Sequence, residues 1–205
     1  GGDDPDATHR AKIWTRVDLD PRGPDGDVRI EGGPGVGLVT RPGLAVAVGE
    51  KAINPAPRRQ IREAVREALR EGGLRGTVSV TIEVVDGEAM ARKTFNPRLG
   101  IIGGISILGT RGTVKPFSNR AYRETITISM DVARAGGVDW LALSTGGRSE
   151  GFLRKRRPNL PDVSFVQVAD FFSFSMEEAA KRGFSEILFA SFFGKAVKAA
   201  QGHPY

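Results

Sequence analysis

Glycine is the residue that most constrains how this chain can fold. The 205 residues include 27 glycines, roughly twice the average usage. Many of them fall in three clusters, at 32–37, 100–112 and 146–151. The apolar stretch 96–116 is too rich in glycine for an ordinary core strand, because glycine offers no side chain to pack. The glycines follow no collagen period and 40% of the residues are hydrophobic, so we expect a folded chain with many turns and loops.

Composition excludes several kinds of chemistry. The sequence has no cysteine, which rules out disulfides, zinc ribbons, iron–sulfur clusters and a thiol nucleophile. With only His9 and His203 as histidines, we predict no metal site. The sequence contains no run of 18 apolar residues, so we predict no transmembrane helix. The opening residues are polar and acidic, so we expect no signal peptide, no membrane partner and a cytoplasmic location.

The charge balance indicates an anionic partner or a solvated surface. The chain has 30 basic and 24 acidic residues, a formal charge of +6, and most of the basic residues are arginine. Arginine is the better bidentate partner for carboxylates and phosphates. Arginine spread over solvated faces explains the excess equally well. The anionic candidates are nucleic acid, a phosphorylated ligand and a polycarboxylate.

The first half of the chain reads as a mixture of strands and one clear helix. Asn54 is suited to cap a helix with proline in its first turn, and Gly72-Gly73 to end it. We take the arginines of this helix as a solvated face. Valine and isoleucine alternate with polar residues over 77–85, as in a half-buried strand. Further predictions are strands at 11–20 and 44–48, an extended region at 28–40 that glycines interrupt, and a turn at Asp86-Gly87.

The second half alternates strands and helices, which predicts βαβ units and a parallel sheet. The predicted strands are 138–144, 163–169 and 186–190, and the predicted helices are 122–135, 175–182 and 195–200. A glycine loop is predicted at 145–151, with a basic segment up to Pro158. The predicted fold is therefore an α+β N-terminal part, residues 1–114, followed by an α/β Rossmann-like part with a mainly parallel sheet, residues 115–205.

A strand that leads into glycines and a helix is the first candidate site. Residues 144–151 read Ser-Thr-Gly-Gly-Arg-Ser-Glu-Gly, and such a turn presents backbone N–H groups at a helix N-terminus. Asp170 follows the next predicted strand, about twenty residues further along the chain. In Rossmann-type folds, an acidic residue at that place binds a ribose hydroxyl. The residues match neither G-x-G-x-x-G nor the P-loop. An ordinary strand-to-helix turn is the alternative.

Two other segments are further candidates. Residues 100–112 would let a ligand approach the backbone closely, with hydroxyls and cations nearby, or would form a tight crossover that needs glycine. Asp3, Asp4, Asp6 and His9 could hold a cation or act as acid and base. A solvated terminus is the commoner explanation for such an acidic segment.

The motifs together resemble the CbiD family of cobalt-precorrin-5B C-1 methyltransferases. The longest matching block runs from Thr94-Phe95-Asn96-Pro97-Arg98 through Gly112. The others are Gly2–Asp6 with Thr8-His9, Gly32–Gly37, Val39–Leu44, Gly49–Pro55, Thr145-Gly146 and Gly194-Lys195. In the family, a segment rich in Thr, Gly and Ala precedes the first block and the chain continues past Gly202-His203. Relative to the family, we therefore expect both termini to be lacking. Ser191-Phe192-Phe193 is less typical of it.

The resemblance implies an enzyme that transfers a methyl group from S-adenosylmethionine to C-1 of a cobalt-containing tetrapyrrole in anaerobic cobalamin biosynthesis. It also implies a two-part fold, an α+β part and a Rossmann-like part. No catalytic residue is assigned, since a sulfonium donor is already activated and needs no general base. The residues expected to hold the cofactor are Thr145, Gly146, Gly147, Glu150 and Asp170. Those expected to face the corrinoid are Arg98, Ser106, Thr110 and Lys115.

Two alternatives remain open at this point. The first is a non-catalytic nucleic-acid-binding module, although only 7% of the residues are aromatic and no stacking motif stands out, so we expect no nucleic-acid partner. The second is a protein that binds a corrinoid without methylating it. The sequence also leaves a homo-oligomer open.

Overall fold

The computed structural model describes residues 7–109 and 119–202. These residues form two compact units. The first unit comprises residues 7–40 and 45–109, and the second comprises 41–44 and 119–202. The predicted boundary between residues 114 and 115 falls in a stretch outside the described residues, and that division stays a prediction.

The first unit combines a three-stranded sheet with short strand pairs and two helices. Its elements are β1 (Ile13–Asp20), β2 (Val28–Gly32), β3 (Gly35–Val36), β4 (Leu38–Val39), α1 (Pro55–Gly72), β5 (Thr77–Val84), α2 (Gly87–Ala91), β6 (Ile101–Ile102) and β7 (Gly104–Ile105). The main sheet has the order β1-β5-β2, with β5 antiparallel to β1 and parallel to β2. The pairs β3–β7 and β4–β6 are parallel and antiparallel, respectively.

The regular elements of this unit follow the sequence pattern. Along β5 the alternating side chains Val78, Val80, Ile82 and Val84 are buried in the core, as predicted. Helix α1 begins after Asn54, whose backbone is extended, and ends at Gly73 in the left-handed conformation. Its apolar residues pack against the same core while most of its arginines are exposed.

Two short elements differ from the predictions. Residues 44–48 form turns and bends instead of a strand. Asp86-Gly87 begins helix α2 instead of closing a simple turn, with Asp86 in a left-handed conformation as its N-cap. Both segments are short, and short apolar runs carry too little periodicity to separate helix, strand and turn.

Glycines from three segments meet at one backbone junction in this unit. A Cβ atom on Gly87 or on Gly104 would overlap the Gly35 backbone, and one on Gly35 would overlap the carbonyl of Val84. Gly35 also has a φ of +75°, which favours glycine. Part of the glycine richness therefore brings β3, α2 and β7 into direct backbone contact.

The second unit is a parallel sheet with helices. Its elements are α3 (Asn119–Ala135), β8 (Trp140–Ser144), α4 (Gly147–Arg156), a 3-10 turn (Asp162–Ser164), β9 (Phe165–Gln167), α5 (Phe172–Lys181), β10 (Glu186–Ala190) and α6 (Phe193–Ala200). All strand pairs are parallel, in the order β10-β8-β9. Leu141 and Leu143 of the central strand are fully buried, among Ile126, Met130 and Val166. The α/β prediction for this part of the chain is confirmed.

One prediction in this unit is wrong. The segment 145–151 is not a glycine loop, because α4 already begins at Gly147 and continues through the basic segment to Arg156. The Ser149 hydroxyl explains this early start. It accepts a hydrogen bond from the Gly146 N–H at 3.1 Å and lies 2.9 Å from the Gly146 carbonyl oxygen, which satisfies one N–H group at the helix end.

Candidate functional site

The C-terminal ends of the three parallel strands define the candidate site. The chain passes from β8 through α4 to the strand on one side, then crosses through α5 to the strand on the other side. Adjacent strands whose connections leave in opposite directions create a crevice beyond their C-terminal ends, where ligands bind in open α/β sheets. Here that crevice lies between the ends of β8 and β10.

The turn that leaves β8 is held in place by its own backbone and hydroxyls. The Thr145 N–H donates to the Ala190 carbonyl at 3.3 Å, and the Thr145 and Ser149 hydroxyl oxygens lie 3.3 Å apart. Cβ atoms on Gly146 and Gly147 would meet nothing within 4 Å. The N-terminus of α4 therefore faces open space, and its free N–H groups favour an anionic or strongly polar ligand group.

Asp170 lies beside this turn, as the sequence predicted. It follows the end of β9 by three residues and lines a small pocket together with Thr145, Ala169, Lys195 and Lys198. Its carboxylate pairs with the Lys195 ammonium of α6, and both side chains are partly exposed. Burial, with the negative charge of Asp170, raises the pKa of Tyr122 above its usual value. The structure thus brings Thr145 and Asp170 together at one pocket.

Glu150 occupies a different environment from Asp170. Its carboxylate is buried and accepts a hydrogen bond from Arg154 Nε at 2.8 Å and one from Gln167 Nε2 at 2.9 Å. Arg154 also donates to Asp162 at 2.6 Å. Burial acts to lower the pKa of Arg154, but the hydrogen bonds to the two carboxylates outweigh it and raise the pKa. Glu150 therefore ties α4 to β9 and orients the helix whose N-terminus faces the crevice.

A larger cavity lies next to the pocket. Its volume is about 560 Å³, in the usual range for small-molecule sites. Apolar groups form most of its wall, and Arg156 and Arg157 add positive charge. The lining residues come from α4, the start of α5, the end of β10 and α6. It suits an apolar body that carries negatively charged groups.

The residues expected to face a corrinoid belong to a separate part of the chain. Arg98 is exposed, with its guanidinium 5.9 Å from the centre of the Phe95 ring. Ser106 Oγ donates to Asn96 Oδ1 at 3.4 Å, and Asn96 Nδ2 donates to the Gly104 carbonyl at 3.2 Å. Asn96 thereby connects the start of the segment 96–106 to its end. Thr110 and Lys115 lie outside the described residues.

Lys195 is a site residue without a predicted role, although Gly194-Lys195 is one of the motifs that resemble the CbiD family. The ion pair with Asp170 joins positions 25 residues apart, a spacing that no local pattern reveals. Its signals in the sequence are that motif and the start of helix α6 (Phe193–Ala200) after the last strand. Of the acidic N-terminal segment, His9 is described and exposed, while Asp3, Asp4 and Asp6 lie outside the described residues.

Neither a metal cluster nor a membrane span is found in the described ranges. Residues 7–109 and 119–202 contain no group of three or more His, Asp or Glu side chains placed to hold a metal ion. In the same ranges no helix is both long enough and apolar enough to cross a bilayer.

The parallel sheet, the turn at Gly146-Gly147 and the open helix N-terminus give the second unit the architecture of a doubly wound α/β domain, with the candidate ligand site beyond the strand ends. The CbiD family profile matches residues 1–116. The chain belongs to the CbiD family.

Relatives with established names are similar over nearly the whole chain. The chain is 55% identical to a cobalt-precorrin-5B C(1)-methyltransferase of Nitratidesulfovibrio vulgaris, over 100% of this chain and 52% of that protein. It is 50% identical to the protein of that name from Geobacillus kaustophilus, over 98% of this chain and 54% of the relative. A crystal structure of the cobalamin biosynthesis protein cbiD from Archaeoglobus fulgidus matches 96% of this chain and 58% of its own, with 28% identity and a TM-score of 0.44. The chain thus spans about half the length of the curated relatives it matches.

Proposed function

We propose that this chain takes part in the transfer of a methyl group from S-adenosylmethionine to C-1 of cobalt-precorrin-5B, in cobalamin biosynthesis. The observation that carries the proposal is the 55% identity, over all 205 residues, to a protein of that name. A cytoplasmic location, expected from the sequence, belongs to the same proposal.

The turn after β8 is the proposed site of the methyl donor. Gly146 and Gly147 leave room beside the N-terminus of α4, where N–H groups can bind a carboxylate. Asp170 would accept hydrogen bonds from ribose hydroxyls, and Thr145 offers a hydroxyl at the same pocket. Ser144 Oγ is buried at the end of β8 without a hydrogen-bond partner among the described residues. These groups match the polar ends of a nucleoside that carries a charged amino-acid group. The pocket between Thr145 and Asp170 has a volume of only about 10 Å³, so the Lys195 side chain would have to leave Asp170 before a ribose could bind there.

Glu150 is proposed to act at this site through α4. Because the protein already uses both of its carboxylate oxygens, its contribution is to hold the helix N-terminus at a fixed place relative to β9. A direct contact with the cofactor would require one of those hydrogen bonds to be given up.

Arg98, Ser106, Thr110 and Lys115 remain the proposed contacts for the corrinoid. A cobalt precorrin carries acetate and propionate side chains, so its periphery is strongly anionic. Guanidinium groups bind carboxylates in bidentate fashion and so orient such a ligand. The formal charge of +6 favours the approach of a polyanion to the protein as a whole.

The chemistry asks the protein mainly for alignment. S-adenosylmethionine, when bound, supplies an activated methyl group on a sulfonium, and transfer is an in-line displacement. The protein contributes by fixing the approach of the acceptor carbon and by excluding water, and such positioning supplies several kcal/mol of the barrier reduction, on the order of 7–11 at best. We assign no general base, since the displacement does not require one.

Calorimetric titration with S-adenosylmethionine and S-adenosylhomocysteine tests the donor site. We expect both to bind, and Gly146→Val to weaken binding by about tenfold or more, because the added side chain enters the space at the helix N-terminus. Gly151→Ala is the matched control, since a Cβ there also meets nothing within 4 Å but lies further along α4. Unmodified chain that binds neither compound would overturn the proposal.

Asp170→Ala tests the ribose contact separately. We expect a loss of affinity of about tenfold, comparable to one charged hydrogen bond. If Asp170→Ala and Gly146→Val both retain full affinity for the donor, the site lies elsewhere. Binding of the tetrapyrrole with no methyl transferred would instead favour a corrinoid-binding role without catalysis.

A further inference from the structure

The edge strand β1 presents an uncovered surface in the first unit. β1 is the outer strand of the order β1-β5-β2, and no other strand lies beside its free edge among the described residues. All eight of its residues are exposed. Ile13 and Val17 have exposures of 52% and 57%, and Leu19 has 39%. An exposed eight-residue edge with apolar side chains is a site for pairing with another strand.

Three apolar side chains of β1 share a face with the core. Ile13, Val17 and Leu19 lie opposite Val84, Val80 and Val78 of β5, and those three valines are buried. Side chains directly opposite each other on neighbouring strands lie on the same face. The hydrophobic face of the sheet therefore continues past the core onto a strand that nothing in the described structure covers.

The backbone of β1 leaves its odd-numbered residues unpaired. The Val85 N–H donates to the Lys12 carbonyl at 3.0 Å, so Lys12 belongs to a hydrogen-bonded pair. Hydrogen-bonded and non-hydrogen-bonded pairs alternate along antiparallel strands. The even-numbered residues of β1 thus bond to β5. Ile13, Thr15, Val17 and Leu19 point their N–H and C=O groups to the free edge.

The charges of β1 are complementary to those of a second copy. When two β1 strands run antiparallel with Val17 opposite its own counterpart, Arg16 faces the other copy's Asp18 and Asp18 faces its Arg16. This register also pairs odd residues with odd residues, as the free N–H and C=O groups require. A shift by two residues one way places Arg16 against Arg16, and a shift the other way places Asp18 against Asp18, although it also sets Arg16 against Asp20. Of these three registers, only the Val17 register avoids facing like charges of β1, which are repulsive.

We propose that two copies of this chain pair edge to edge through β1, in the register that sets Val17 against Val17. The product is a continuous six-stranded sheet, with a two-fold axis through the Val17 pair. Val17 contacts its counterpart on the apolar face, and Thr15 contacts Leu19. Two Arg16–Asp18 pairs form on the other face, and no like charges of the two β1 strands face each other in this register.

Charge reversal tests the register. Sedimentation or light scattering over a concentration series should show a dimer of the unmodified chain. Arg16→Asp and Asp18→Arg should each weaken dimerisation by about tenfold or more, because both cross-strand pairs become repulsive. Mixing the two single variants should restore a dimer, since a chain with two acids then faces a chain with two bases. Circular dichroism of each variant checks that the monomer is folded.

Mixing separates the interface from the contact within one strand. Arg16 Nε also lies 3.2 Å from Asp18 Oδ2 of the same chain, and both single variants lose that contact whether alone or mixed. Recovery on mixing therefore reports pairing between chains. Three outcomes would each overturn the proposal. The unmodified chain stays monomeric, the single variants dimerise as well as the unmodified chain, or the mixture of variants stays monomeric. If β1 pairs instead with a segment that longer family members contain, the unmodified chain would stay monomeric.

Discussion

Single residues determine how α4 is held against the sheet. Glu150 has 4% of its side chain exposed and pairs with Arg154 at 2.8 Å. Arg154 in turn stacks on Phe165, with its guanidinium carbon 4.2 Å from the ring centre. Buried charged groups are tolerated when their hydrogen bonds are satisfied. Glu150 therefore supplies the hydrogen-bonded link from α4 to β9, beside the stacking of Arg154 on Phe165.

Glu150→Gln should lower the free energy of unfolding by about 1–3 kcal/mol. The amide keeps the shape of the side chain but loses the charge that Arg154 faces, and its NH₂ group cannot accept the hydrogen bond from Gln167. Denaturant unfolding measures the difference. Glu177→Gln, in an exposed position of α5, should change stability by no more than about 0.5 kcal/mol. Equal effects of the two substitutions would contradict this role of Glu150.

Glu178 gives the second unit an acid-sensitive contact. Hydrogen bonds from Lys181 and Arg182 lower the pKa of Glu178 below its ordinary value of 4.5. Arg182 also donates to Asp131 of α3 at 2.7 Å, so the pair connects two helices. A carboxyl with a lowered pKa stabilises the fold above its ordinary pKa, and that stabilisation is lost as the pH falls below it.

Glu178→Gln should therefore flatten the acid branch of the stability curve. The variant is expected to be less stable than the unmodified chain at neutral pH, with the difference shrinking as the pH drops below about 4.5. Thermal unfolding at a series of pH values measures this. A difference that stays constant from neutral to acidic pH would show that the charge of Glu178 is not the cause, and Glu177→Gln again serves as the control.

Among the elements, the junction of β3, α2 and β7 is the least tolerant of change. Gly35 combines a positive φ with direct contact to the Val84 carbonyl, whereas Gly26 has nearly the same φ, +72°, and open space around it. These two glycines separate backbone strain from steric overlap, because only Gly35 has both.

Gly35→Ala should destabilise the chain by more than about 3 kcal/mol, and Gly26→Ala by about 1 kcal/mol. The first value combines strain and overlap, and the second reports strain alone. Thermal or denaturant unfolding of both variants gives the comparison. If the two substitutions cost the same, close approach at Gly35 is not what requires glycine there.

The longer elements could be predicted from the sequence, and the contacts between them could not. The alternation of β5 and the capped, amphipathic α1 appear within single windows of sequence, so both were predicted nearly to the residue. Helix α2 has five residues, too few to show a period. Thr145 and Asp170 were predicted from their places after strands, because parallel strands end at one edge. The Lys195 pair with Asp170 depends on how α6 returns to that edge, which no local pattern contains.

On the scale of the whole molecule, net charge acts over distances longer than those of direct contacts. A charge of +6 attracts polyanions over distances of about a Debye length, roughly 10 Å at 0.1 M salt. The same charge was compatible with nucleic acid and with a polycarboxylate tetrapyrrole. The family membership favours the second, and the low aromatic content disfavours the first.

A porphyrin polycarboxylate and single-stranded RNA should therefore behave differently. Fluorescence titration should show binding of the porphyrin that weakens as salt rises from about 0.05 to about 0.5 M, with Arg98→Ala weaker than the unmodified chain. Arg75→Ala, an exposed arginine outside the proposed site, is the matched control. Tight RNA binding with a steep salt dependence and no porphyrin binding would reverse the preference.

The junction of Gly35, Gly87 and Gly104 limits which mutations can be compensated during evolution. At most crowded positions, an enlarged side chain is tolerated once a neighbour shrinks by a second mutation. A Cβ on Gly35 would overlap the Val84 carbonyl, and one on Gly87 or Gly104 would overlap the Gly35 backbone, so the neighbours that would have to shrink are main-chain atoms. None of these can become smaller, so no second-site suppressor acts by making room. A suppressor selection against Gly104→Ala should return reversions to glycine or general stabilisers elsewhere, and no compensating substitution at the junction.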